Sequence, residues 1–148
     1  MPIATMQDFL RLCDVNPQEM TDGSILNVYS ASPELISQLH LEDSTGVNKN
    51  RRVHVNVVNE FVRRMREGTW EPLTSEPIVY NAIEGHDRYG SLVSGQHRLL
   101  AASKANYTLK FYAWGSETEG DLSRTDLVIR RTHTDTAASM KSQAGGSV

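Results

Sequence analysis

The chain has 148 residues, 39% of them apolar and 22% charged, which is one domain's worth of sequence with enough apolar material for a genuine core. Fifteen basic against 18 acidic side chains leave a formal charge of −3, so no global basic field announces nucleic acid. A single cysteine, Cys13, excludes an internal disulfide and a cysteine-only metal cluster and fits a reducing cytoplasm, and no apolar run reaches membrane-spanning length.

Residues 1–24 read as an N-terminal helical extension. Met6, Phe9, Leu10 and Cys13 fall at helical spacing, and Asn16-Pro17 and Asp22-Gly23 punctuate the stretch after it. Cys13 lies on the apolar side of that helix, as a small core residue rather than a reactive thiol. Residues 25–31 alternate as a strand. Ser32-Pro33-Glu34 then opens a helix, with serine as N-cap and proline at the first helical position, running to about residue 40. His40 suits its end as a C-terminal cation. After a polar loop over 41–52, Val57, Val58, Phe61, Val62 and Met65 mark one face of a helix that Gly68 stops. Arg51, Arg52, Arg63, Arg64 and Arg66 cluster here and read as a solvated face, with contact to nucleic acid as the alternative.

A strand is expected over 77–81, a polar hairpin loop over 82–90 and a partner strand over 91–93. His86 beside Asp87 reads as solvated loop, because chain neighbours seldom converge on a metal. At Ser94-Gly95 the strand runs into a small-residue turn, and Leu99 to Ala102 continue as an apolar helix. Gln96, His97 and Arg98 therefore occupy that helix's first turn. First-turn N–H groups lack intrahelical partners and the helix dipole favours negative charge there. Gly95 allows close approach to the backbone and Arg98 offers a planar fork of donors, so the natural ligand is a phosphate. One strand is expected over 108–114. Further on, Thr132 with Asp135 resembles a capping box opening a final helix, and 137–148 read as a flexible tail.

Ser94-Gly95-Gln96-His97-Arg98 with Leu99 and Ala101-Ala102 resembles the signature of the ParB/sulfiredoxin superfamily, most of all its GQHR-type ParB-like branch in phages and mobile elements. Asn50-Arg51, then Met65, Gly68 and Trp70, resemble that branch's second block, and Asp126, Arg131, Thr132 and Asp135 its third. The resemblance covers residues 25–136. It implies an α/β (α+β) fold, a small mixed β-sheet flanked by helices, with a nucleoside triphosphate (ATP or CTP) and magnesium at the signature helix. Members of the superfamily hydrolyse triphosphates or transfer phosphoryl groups. Carried over by residue, Asn50, Arg51, Ser94, Gly95, Gln96, His97, Arg98, Arg131 and Thr132 would hold the nucleotide. His97, Arg98, Asp126 and Asp135 would be catalytic, with Asp126 or Asp135 on magnesium.

Gln96 stands where sulfiredoxins carry their nucleophilic cysteine, which excludes sulfinic-acid repair. Gln96 and His97 also depart from the Gly-Glu-Arg-Arg of partitioning ParB proteins. The function these residues point to is a magnesium-dependent NTPase or kinase-like phosphotransferase that could act on DNA or a modified base; the alternative is a non-catalytic nucleotide- or DNA-binding regulatory or interaction module, ParB-like nucleases and regulators included. A second copy of the chain is a candidate partner in either.

Overall fold

The computed structural model describes residues 3–42, 46–48, 52–71, 73 and 76–118. The chain is a mixed α/β protein; among the described residues four helices pack with two three-stranded sheets, where the sequence reading expected one mixed sheet. In order, the elements are α1 (Met6–Leu12), β1 (Asp14–Glu19), β2 (Ile25–Ala31), α2 (Pro33–Ser37), α3 (Val55–Glu67), β3 (Ile78–Asn81), β4 (Leu92–Ser94), α4 (Gln96–Ala105), β5 (Leu109–Phe111) and β6 (Ala113–Ser116). None of the described helices is long and apolar enough to cross a membrane.

The first sheet runs β1-β2-β5 and is antiparallel throughout. Its outermost strand, β1, was not expected, and every residue of it is exposed. Pro17 sits mid-strand opposite Asn27, a position that an edge strand tolerates because one side of its ladder faces solvent. The second sheet runs β4-β3-β6, with β3 antiparallel to β4 and parallel to β6. The single strand expected over 108–114 is therefore two. The chain leaves the first sheet after Phe111 and joins the second at Ala113, and the carbonyl of Tyr112 between them accepts from the Ile78 N–H at 2.7 Å. Alternation survives up to the break: Leu109 and Phe111 are buried and Lys110 is exposed.

Local signals account for most helix boundaries. The Thr5 hydroxyl caps α1 by accepting from the Asp8 N–H (3.1 Å), and the Ser32 hydroxyl caps α2 by accepting from the Leu35 N–H (3.1 Å). α2 ends at Ser37, earlier than expected. His40 lies beyond it with φ 53°, in a left-handed turn rather than as a cation on the helix terminus. Gly68 stops α3 in the left-handed conformation (φ 78°), and its N–H donates to the Arg64 carbonyl.

One hydrophobic cluster joins both sheets and all four helices. Met6 and Phe9 of the N-terminal stretch are fully buried in it, and Phe9 stacks on Phe111, which in turn stacks on Tyr29. The 1–24 stretch thus shares the core of the following segment. Cys13 is buried too, its thiol donating to the Phe9 carbonyl at 3.3 Å. Burial, aided by the Asp14 charge, pushes that thiol up to about 12, so it is a core residue, unreactive at neutral pH. The expected tail over 137–148 lies outside the described residues.

Phe9→Ala should lower stability by about 3–5 kcal/mol, the usual cost of emptying an aromatic core position, read from the urea midpoint. A loss below about 1 kcal/mol would mean that α1 is peripheral after all.

Candidate functional site

The signature turn forms as the sequence predicts. β4 ends at Ser94, Gly95 is the N-cap residue of α4, and Gln96, His97 and Arg98 make its first turn. Its N-cap residue is a glycine, which has no side chain to accept from the first-turn N–H groups. Beside it lies a cavity of about 330 Å³, bounded by Ser94, Gly95, His97 and Arg98 on one side. Val57, Phe61 and Arg64 of α3 form the opposite wall, and Trp70, Glu71 and Glu76 come from the segment that leads to β3.

The residues of the signature take different roles from those expected. Gly95 has φ 109°, and a Cβ built there would lie 2.3 Å from Ile78 Cδ1. The glycine is therefore required by the left-handed turn and by β3 packing on it. Gln96 is only 6% exposed and is not part of the cavity wall. Arg98 is 9% exposed. Its Nη1 and Nη2 donate to the carbonyls of Glu76 (2.8 Å) and Pro77 (3.0 Å), tying the entry of β3 to the start of α4. Burial lowers its pKa from the ordinary arginine value, and the nearby Glu76 charge works against that. The expected solvent-facing clamp is in large part a buried strut whose charge sits at the cavity's edge.

His97 is half-buried, and its Nε2 accepts from the His54 backbone N–H at 3.0 Å. The two imidazoles stack with centroids 5.5 Å apart. This contact fixes Nε2 as an acceptor and pins the start of α3 to the start of α4. His86, by contrast, belongs to the hairpin loop, where its Nδ1 accepts from the Arg88 N–H (3.0 Å) and lies 3.1 Å from Asn81 Nδ2.

Of the arginine cluster, Arg63 is spent on Glu60 (2.6 Å) and Glu67 (2.8 Å) along its own helix, and Arg66 donates to the Lys104 carbonyl (3.2 Å). Arg64 differs: its guanidinium lies over the rings of Trp70 (5.4 Å) and Phe61 (5.9 Å) and lines the cavity. Sequence reasoning missed it among its neighbours. The available signal was its place at i, i+4, i+7 with Val57 and Phe61. Trp70, expected as core, is both buried and part of the wall.

Asn50, Arg51, Asp126, Arg131, Thr132 and Asp135 lie outside the described residues, so the structure brings together only the 94–98 block. Among the described residues no group of three or more His, Cys, Asp or Glu side chains has a metal-binding arrangement. The cavity's carboxylates, Glu71 and Glu76, would suit magnesium only in company with phosphate oxygens, which is the usual way that ion is held.

Gly95→Ala should cost about 2–4 kcal/mol, from a left-handed φ forced on alanine plus the clash with Ile78. In an Ile78→Val background, which removes Cδ1, the cost should fall to about 1–2 kcal/mol; equal costs in urea melts of the four proteins would rule out the clash. Arg98→Ala should lose about 2–4 kcal/mol without any ligand present, because two carbonyls lose their charged donor. Unchanged stability would show that Arg98 is not a strut. Comparison with family models, with curated proteins and with solved structures finds no match to this chain.

Proposed function

We propose that the chain is a nucleotide-binding module of the ParB-like kind, with the nucleotide's phosphates at the start of α4. The observation that carries this reading is the cavity between the N-terminus of α4 and the wall made by Phe61 and Arg64 of α3 with Trp70 from the segment after it. A helix N-terminus with an arginine facing it favours an anion. The wall also holds two carboxylates and two aromatic rings. A bare oxyanion has no use for these. A nucleotide does, since its sugar hydroxyls and base amino groups donate to carboxylates and its base prefers an apolar or aromatic surface. About 330 Å³ lies at the small end of the range for ligand pockets and suits one mononucleotide.

Binding, with a regulatory or interaction role, is the reading that the geometry supports best, because Arg98 is turned inward onto Glu76 and Pro77 rather than toward a transferring phosphoryl group. The second reading is the magnesium-dependent NTPase or phosphotransferase. It draws on His97 and Glu71, two acid–base groups on the cavity wall. DNA as a partner gains little from α3, since Arg63 is neutralised by Glu60 and Glu67 and the chain is acidic overall.

The four nucleoside triphosphates, each with and without magnesium, test both readings by thermal unfolding and by phosphate release. At least one nucleotide should stabilise the protein, by about 2.7 kcal/mol at a hundredfold excess over Kd. Val57→Tyr, a bulky change at an exposed position on the wall, should abolish the shift while leaving the fold intact. Phosphate release that is lost in the same variant would favour the enzyme. No shift with any nucleotide would overturn the proposal.

A further inference from the structure

We propose that Arg64, rather than the signature arginine Arg98, is the side chain that grips the anionic end of the ligand, and that Arg98 is a positioning residue. The inference deepens the nucleotide-binding reading and rests on it for the identity of the ligand.

The two guanidiniums differ in what their donors do. Arg98 directs Nη1 and Nη2 at main-chain carbonyls and is nearly buried, so turning either toward a ligand would strand a carbonyl. Arg64 is half-buried on the cavity wall, held over Trp70 and Phe61. A cation–π contact draws on the guanidinium's charge rather than on a hydrogen-bond acceptor, which leaves its N–H donors for a ligand. It orients the fork in advance and reduces the rotamer entropy that an anion would otherwise have to overcome. The acid one turn earlier on α3, Glu60, feels the Arg64 charge but is hydrogen-bonded to Arg63 by both oxygens. Arg63 thus keeps Glu60 from competing for Arg64.

The platform itself is built from the end of α3. The Trp70 N–H donates to the Arg64 carbonyl (3.1 Å), so the residue that carries the cation also anchors the ring beneath it. Phe61 and Trp70 meet edge to face with centroids 4.9 Å apart, which helps to fix the indole. An anion in the cavity would lie between this fork and the first-turn amides of α4, with the charge of Arg98 behind them.

The test uses the full chain with Trp114→Phe, so that Trp70 is the only indole, and measures Kd calorimetrically for inorganic tripolyphosphate and for each nucleoside triphosphate. Binding should change Trp70 emission. Arg64→Ala should weaken tripolyphosphate roughly 10- to 100-fold, the range for a lost charge-assisted pair, and Arg64→Lys should fall between. Should Arg64→Ala fail to fold, Arg64→Lys decides alone: weakened binding supports the inference and unchanged binding overturns it. Binding to Arg64→Ala within twofold of the parent would overturn the inference and leave the nucleotide reading standing. A parent that binds tripolyphosphate but no nucleotide would overturn that reading and keep the role of Arg64. A parent that binds neither would overturn both.

Discussion

A guanidinium held out of water is costly unless its donors find partners, and the carbonyls of Glu76 and Pro77 supply them for Arg98. Much of the molecule's arrangement rests on that. The next residue, Ile78, begins β3 and packs where Gly95 lacks a side chain. Ile78, Gly95 and Arg98 therefore lock one end of the second sheet onto the start of α4, and neither element can shift without stranding a charge or opening a gap. The cavity exists because this junction holds α4's first turn at a fixed place beside α3.

The opposite wall is fixed at both of its ends. At its start the His54 N–H reaches His97 Nε2, and at its finish Gly68 reverses the chain so that Trp70 folds back against Phe61. Between these points Val58 and Met65 bury one side of α3, leaving Val57, Phe61 and Arg64 on the side that faces the cavity. A single helix thereby contributes to the core and to the cavity wall through two adjoining stripes.

Features set by neighbours in the chain were legible in the sequence. The Ser32 cap, the Gly68 stop and the strand–glycine–helix junction at Ser94 to Gln96 are all local, and each formed as read, whereas the apolar stripe of α3 formed in part, with Val58 and Met65 buried and Val57 exposed. Features set by distant partners were not legible. Residues 108–114 alternate well enough for one strand, and only the competing claims of β2 and β3 divide them at Tyr112. An arginine at a helix start looks the same in sequence whether it faces a ligand or the carbonyls of a segment some 20 residues earlier. Arg63, Arg64 and Arg66 likewise look alike until the rotation of α3 against α4 separates them. β1 was missed because Pro17 reads as a breaker, and a strand at the rim of a sheet is where that rule relaxes.

That rim has a bearing on how the protein behaves when concentrated. A two-stranded arm whose outer member is wholly exposed, with Val15, Ile25 and Leu26 open to water, is the sort of template on which chains stack into fibrils. Pro17 withholds one amide from that template and Glu19 places a charge near its far end, so both work against such stacking.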